Sequence, residues 1–146
     1  YKRQCKEMEK RTEYTFDDFV EIVRELRKKC PWDSVQTHAS LRSCLENESR
    51  EVLEGISLFE KTGDGENLCE ELGDLLLQIV LHSIIAQEEG IFTLEDVISG
   101  ISEKMKFRHP KIFRPEDKEA ATMSWDELKR EEHILRKKLA NKDRNA

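Results

Sequence analysis

The stretch that decides the fold is residues 47–80, which read NESREVLEGISLFEKTGDGENLCEELGDLLLQIV. Two pairs of carboxylates in it stand three residues apart: Glu48 with Glu51, and Glu71 with Asp74. Residues at this spacing share one face of a helix, so each pair can direct two carboxylates to one point. Between the pairs, KTGDGE at 61–66 is a strong turn signal. The pattern predicts two antiparallel helices whose carboxylate pairs face each other, level to within about one helical turn.

Four converging carboxylates repel one another unless a cation joins them. Hard oxygen ligands of this kind suit Mg²⁺, with Mn²⁺ as a substitute. Two neighbouring carboxylates, Glu54 and Glu70, are candidates for accepting a proton from an attacking water. The ordinary alternative is that such pairs form a solvated helix face, since 38% of the 146 residues are charged.

Composition limits the class of protein. The length suggests one domain, and the net charge of −6 disfavours a nucleic-acid partner, which would need a basic surface. No apolar run approaches the ~20 residues that a membrane span needs. The cysteines match no zinc pattern, which predicts reduced thiols in a cytoplasmic protein: Cys5, Cys30, Cys44 and Cys69. Because the chain begins at Tyr1 and not at Met, a piece of a longer protein is one expectation.

Apolar periodicity without any strand pattern predicts an all-α fold, an antiparallel helical bundle of about five helices. The helices are expected at about 16–29, 38–61, 66–89 and 94–107, with a last one from Trp125 onward. Residues 108–115 are expected to be irregular, and 116–123 to form a loop. The middle of the third helix, LLLQIVLHSIIA at 75–86, is apolar on almost all sides. Such a helix is buried on several faces, which predicts that a partner subunit completes the core.

Helix ends are signalled by side chains that can accept hydrogen bonds from first-turn N–H groups. The predicted N-caps are Thr15, Thr37, Thr93 and Ser124, the last with Glu127 in a capping box. Gly90 is the predicted end of the third helix. These limits define a flexible lead-in at 1–14, one domain at 15–140 and a frayed tail at 141–146.

Cationic and aromatic residues extend the carboxylate pattern towards a substrate. Lys104 and Arg108 stand four apart, as do Trp125 and Lys129. Cations beside Mg²⁺ carboxylates suit phosphate chains. Trp125 or Trp32 could stack a base, and each has an ordinary alternative as a core aromatic, Trp32 as a plug over the core. The conjunction favours a nucleoside polyphosphate.

Several motifs in order resemble the MazG-type nucleoside triphosphate pyrophosphohydrolases of the all-α NTP pyrophosphatase superfamily. They are CPWDSVQTHASLR at 30–42, the carboxylate helices, RHPKIF at 108–113, and Trp125 with Lys129. The resemblance covers about residues 16–138. One departure is Asn47, which stands where the family pattern EExxE has its first Glu and which brings no charge.

The resemblance implies Mg²⁺-dependent hydrolysis of (d)NTPs to the monophosphate and pyrophosphate, as nucleotide-pool housekeeping by a homodimer or a dimer of dimers. The implied metal ligands are Glu48, Glu51, Glu71 and Asp74. Lys104 and Arg108 would hold phosphates, and Trp125 and Lys129 would complete the nucleotide site.

Three alternatives remain open at the level of the sequence. One is a dUTPase-like or phosphoribosyl-ATP pyrophosphatase-like relative with a preference for one substrate. Another is a catalytically inactive helical module that binds nucleotide or a partner protein, which Asn47 makes conceivable. The third is a regulatory domain of a larger enzyme.

Overall fold

The chain forms helices joined by short turns. The computed structural model describes the backbone of residues 13–143 and the side chains of 13–141, and within that part there is no strand. The helices are α1 Phe16–Lys29, α2 Arg42–Thr62, α3 Glu66–Glu88, α4 Leu94–Arg108, α5 Pro110–Phe113, α6 Lys118–Thr122 and α7 Trp125–Asp143, with a 3₁₀ turn at Asp33–Val35. The all-α prediction is confirmed, with two short helices beyond the five expected.

Two compact units divide the chain, the first ending at Phe92 and the second beginning at Thr93. The first unit holds α1 to α3, and the second holds α4 to α7. The predicted lead-in and tail lie mostly outside the described residues, as does Cys5.

In the first unit, α3 is the central helix, and both α1 and α2 pack against it. The C-terminal half of α3 is mostly buried. The apolar residues of this core, from α3 and from the segments packed against it, are almost completely shielded from solvent: Val20, Val23, Leu41, Val52, Val80, Leu81, Ile84, Ile85 and Ala86. Burying a Val, Leu or Ile side chain stabilises a fold by about 1.5–3 kcal/mol, so this cluster is the main support of the first unit.

An apolar stripe from the N-terminal half of α3 to just past its middle stays in contact with solvent. Leu72, Leu76 and Ile79 follow one another at helical spacing, and Leu72 is 49% exposed. Within the described chain, therefore, α3 is mostly buried towards its C-terminus and open along one face of the rest.

Most predicted helix ends are found where the sequence placed them. Thr15 and Thr93 form capping boxes with the third helical residue, and the Ser124 hydroxyl accepts from the N–H of Glu127 at 3.3 Å. Gly90 adopts a left-handed φ of 70°. The N–H of Gly90 donates to the carbonyl oxygen of Gln87, and the N–H of Ile91 donates to that of Ala86. These two carbonyls in the last turn of α3 therefore have hydrogen-bond partners.

The predicted start of α2 at His38 is wrong, because the helix begins at Arg42. Thr37 caps a turn and not a helix: its hydroxyl accepts from the Ser40 N–H at 3.2 Å, and the Ser40 hydroxyl accepts from the Thr37 N–H at 2.9 Å. Local side-chain hydrogen bonds of this kind compete with helix formation and hold residues 37–40 in a turn.

The segments expected to be irregular or to form a loop contain short helices instead. Pro110 lies in the first turn of α5, where its missing N–H and restricted φ cost nothing. The Asp117 carboxylate accepts from the Ala120 N–H at 2.9 Å and caps α6. With 4 and 5 residues, both helices are far shorter than the window of about 11–18 residues over which an apolar period can be recognised, so sequence patterns do not resolve them.

At Gly55, α2 comes close to α3. A Cβ atom there would lie 3.1 Å from Asn67 Oδ1 and 3.2 Å from the Cα of Leu68. The Asn67 amide donates to Glu71 Oε1 at 2.9 Å, so a side chain added at Gly55 would press on the residue that holds a candidate metal ligand.

We expect Gly55→Ala to lower the free energy of unfolding by about 1–3 kcal/mol, because the backbone at Leu68 cannot move away cheaply. Gly100→Ala is the matched control, since a Cβ there meets nothing within 4 Å. It should stabilise α4 by roughly 0.5–1 kcal/mol. Denaturant titration measures both, and equal stabilities for the two variants would contradict the close approach.

A pair of histidines joins the 37–40 turn to α3. His38 Nδ1 lies 2.7 Å from His82 Nδ1, with the rings parallel and their centroids 5.0 Å apart. One nitrogen must therefore donate while the other accepts. His38 Nε2 lies 3.8 Å from a Glu89 carboxylate oxygen. Burial, and then the neighbouring His38, hold the pKa of His82 below its usual range.

This arrangement makes stability depend on pH. Because the native state favours neutral His82, the unfolded chain binds more protons below about pH 6.5. The stabilisation from neutral His82 is complete above the pKa that His82 has in the unfolded chain. It is lost as the pH falls towards the pKa of His82 in the folded protein. We expect the free energy of unfolding to fall between about pH 7.5 and pH 5.5, and His82→Asn to flatten this slope. Exposed His133, replaced by Asn, is the control, and a slope unchanged in His82→Asn would contradict the assignment.

Candidate active site

The turn between α2 and α3 brings carboxylates from both helices together. Glu48 on α2 and Glu71 and Asp74 on α3 each offer an oxygen, and these oxygens lie within 4.8 Å of one another. Glu51 is not one of these three, but it lies close enough to Glu48 for its charge to raise the pKa of the Glu48 carboxyl. The two pairs picked out by their spacing are therefore neighbours in space.

Glu48 carries an electrostatic cost in this cluster. Burial raises its pKa above the usual range, and the charges of Glu51, Asp74 and Glu71 raise it further. A carboxylate that is partly dehydrated and surrounded by like charges is relieved by a bound cation. All the converging ligand atoms are carboxylate oxygens, which is the donor set that Mg²⁺ and Mn²⁺ prefer. The residues present therefore fit such an ion.

Polar residues that flank the cluster on α2 bind one another. Asn47 accepts a hydrogen bond from Arg50, whose guanidinium also lies 3.6 Å from Glu54. Asn47 thus binds the Arg50 guanidinium at the position where the family pattern has a further Glu. Glu54 and Glu70 are both exposed.

A second group of candidate residues lies in the second unit, on α4 and α7. Arg108 is almost buried, with 12% of its side chain exposed, and its guanidinium carbon lies 5.4 Å from the centre of the Trp125 ring. The His109 ring lies edge-on to the same Trp125 ring, with the two ring centroids 5.4 Å apart. Arg108 and Trp125, which the sequence placed in one nucleotide site, are therefore in contact with each other. Lys104 is half-buried on α4, and Lys129 is exposed on α7.

Glu132 is a member of this group that sequence reasoning missed. Its carboxylate accepts from Arg108 Nη2 at 2.7 Å and forms an ion pair with Arg136. Within the REEH segment at 130–133 it looks like any surface charge. The one available signal was its spacing of four residues from the buried Leu128, which puts both on one face of α7.

Trp32 lies in the loop between α1 and α2 and is 55% exposed. It therefore does not plug the core of its unit. Arg27 fixes the loop, because its Nη1 donates to the backbone oxygens of Asp33 and Gln36 at 2.6 and 2.9 Å. An exposed indole on a fixed loop is compatible with a stacking surface.

Comparisons with known proteins give the family. Residues 36–113 match the model of the MazG nucleotide pyrophosphohydrolase domain. The chain belongs to the MazG nucleotide pyrophosphohydrolase domain family, as the sequence motifs predicted. The matched span contains α2, α3, all four candidate carboxylates, Lys104 and Arg108.

Individual relatives agree with this assignment. The chain is 42% identical over 119 residues to the nucleoside triphosphate pyrophosphohydrolase/pyrophosphatase MazG of Thermotoga maritima, covering 80% of this chain and 45% of that protein. It is 37% identical over 122 residues to the Escherichia coli nucleoside triphosphate pyrophosphohydrolase, with the same shares. It is 43% identical over 129 residues to Bacillus subtilis YabN, covering 85% of this chain and 26% of YabN. The chain thus spans less than half the length of these relatives.

No helix among residues 13–143 is long and apolar enough to cross a membrane.

Proposed function

We propose that this chain hydrolyses nucleoside triphosphates, ribo- or deoxyribo-, to the monophosphate and pyrophosphate, with Mg²⁺ held by Glu48, Glu51, Glu71 and Asp74. The observation that carries this proposal is the convergence of carboxylates from α2 and α3 in a chain of the MazG family. Mn²⁺ is expected to substitute, because it prefers the same oxygen donors. The cellular role would be housekeeping of the nucleotide pool in the cytoplasm.

The bound ion would neutralise phosphate oxygens and acidify a water. The chain's own residues then have separate tasks. The carboxylate cluster would hold the ion to which the charged end of the substrate binds, and Glu54 or Glu70 accepts the proton from the attacking water. Lys104, Arg108 and Lys129 stabilise negative charge on the leaving pyrophosphate. Trp125 and Trp32 are the candidate surfaces for the base.

A second copy of the chain is part of the proposal. The exposed stripe of Leu72, Leu76 and Ile79 on α3 is the apolar surface that a partner would cover. We propose a homodimer or a dimer of dimers, with residues 15–140 as the pyrophosphohydrolase domain.

The test is pyrophosphate release from all common NTPs and dNTPs with Mg²⁺, with Mn²⁺, and with chelator. We expect release that needs a divalent ion and stops when the ion is removed. Turnover confined to dUTP or phosphoribosyl-ATP would instead favour the more specialised relatives. Nucleotide binding without turnover at any Mg²⁺ or Mn²⁺ concentration would favour the inactive module.

A further inference from the structure

The second unit contains a buried carboxylate to which the proposed reaction assigns no task. Only 8% of the Glu132 side chain is exposed, and it lies on α7 facing α4 through its bond to Arg108. Arg136, one turn further along α7, pairs with the same carboxylate and donates to the backbone oxygen of Gly100 on α4 at 2.8 Å. A buried carboxylate costs free energy unless it is paired, so this one is held in place by the cations around it.

Arg108 is fixed from two sides. Glu132 accepts from its Nη2 at 2.7 Å, and the Trp125 ring lies 5.4 Å from its guanidinium carbon. Its buried Nε has no hydrogen-bond partner among residues 13–141. The guanidinium therefore retains donor capacity after Glu132 and Trp125 have oriented it.

We infer that Glu132 is a positioning residue. It holds the Arg108 guanidinium against Trp125, so that Arg108 and Trp125 are already oriented when a nucleotide binds. The inference rests on the proposed function. A long arginine side chain loses rotamer freedom when it binds a phosphate, and an arginine that is already held loses less.

The charges around Glu132 agree with this role. The hydrogen bond from Arg108, and then the charges of Arg136, Arg108 and Lys104, lower the pKa of its carboxyl group. One carboxylate among three cations leaves the group net positive, as a phosphate site requires. Glu132 thus reduces the repulsion between the cations without cancelling their charge.

The first test compares Glu132→Gln with Glu131→Gln, which removes the same charge from an exposed neighbour on α7. Because loss of an orienting partner typically costs about 10- to 100-fold, we expect KM for the nucleotide to rise by that factor in Glu132→Gln only. The Mg²⁺ concentration for half-maximal rate should not change. Glu132→Asp keeps the negative charge on a side chain that is one methylene shorter, and it should give an intermediate KM. Equal KM values for wild type and Glu132→Gln would overturn the inference.

A second test separates positioning from general loss of structure. If Glu132 acts through Arg108, the apolar double variant Arg108→Met/Glu132→Leu should have the KM of Arg108→Met alone. Independent contributions would multiply, and a multiplied KM would overturn the inference.

The failure of the proposed function is distinguishable from the failure of this inference. A wild-type chain that releases no pyrophosphate from any nucleotide overturns the function. Calorimetric binding of inorganic tripolyphosphate then decides the inference: weaker binding by Glu132→Gln than by Glu131→Gln supports it, and equal binding overturns it.

Discussion

Glu71→Gln is expected to reduce Mg²⁺-dependent pyrophosphate release by about 100- to 1,000-fold, the usual loss when one charged group of a catalytic cluster is removed. Glu71 shares the cluster with Glu48 and Asp74, and Asn67 holds its carboxylate in place. Gln preserves the shape and the hydrogen bond to Asn67 but contributes no charge to a cation. The rate of pyrophosphate release at saturating Mg²⁺ measures the loss.

The same substitution should make the metal-free protein more stable. Removing one charge relieves the repulsion on Glu48, which we expect to raise the free energy of unfolding in chelator by roughly 0.5–1 kcal/mol. Addition of Mg²⁺ should raise Tm in the wild type but much less in Glu71→Gln. Glu46→Gln, an exposed carboxylate on α2, is the control and should retain both activity and the Mg²⁺ effect. Full Mg²⁺-dependent activity in Glu71→Gln would refute the metal assignment.

Arg108→Ala is expected to have the largest effect on stability, a loss of about 3–5 kcal/mol, because it leaves a buried charge without its main partner. Glu132 would keep the ion pair with Arg136, whose side chain is 46% exposed, and the weaker influence of the Lys104 charge. Thermal or denaturant unfolding measures the loss. Arg130→Ala on α7, the helix that carries Glu132, is the control, since Arg130 is exposed and its replacement should change stability by less than about 0.5 kcal/mol.

Stability and activity should separate when both charges are removed. The double variant Arg108→Met/Glu132→Leu replaces the ion pair by apolar side chains, and such replacements are often neutral or stabilising. We expect it to regain most of the lost stability while its KM remains high. A double variant as unstable as Arg108→Ala would contradict the assignment of the loss to the unpaired carboxylate.

Sequence patterns predicted the elements whose causes are local. The capping boxes at Thr15, Thr93 and Ser124 each depend on a residue three positions away, and Gly90 ends α3 because of its own backbone freedom. Thr37 shows the limit of such signals. Its hydroxyl can cap a helix or a turn, and the competing hydroxyl of Ser40 decided for the turn.

The sequence by itself determined the helical hairpin and its carboxylates, because the spacing of three places both members of each pair on one face and a strong turn joins the two helices. The tertiary structure decided that Glu48 bears an electrostatic cost, since burial and then the charges of its neighbours raise its pKa. It also decided the difference between Glu131 and Glu132, identical neighbours in the sequence. Glu131 faces water, and Glu132 is buried between arginines. Only the packing of α7 against α4 determines which side of the helix is buried.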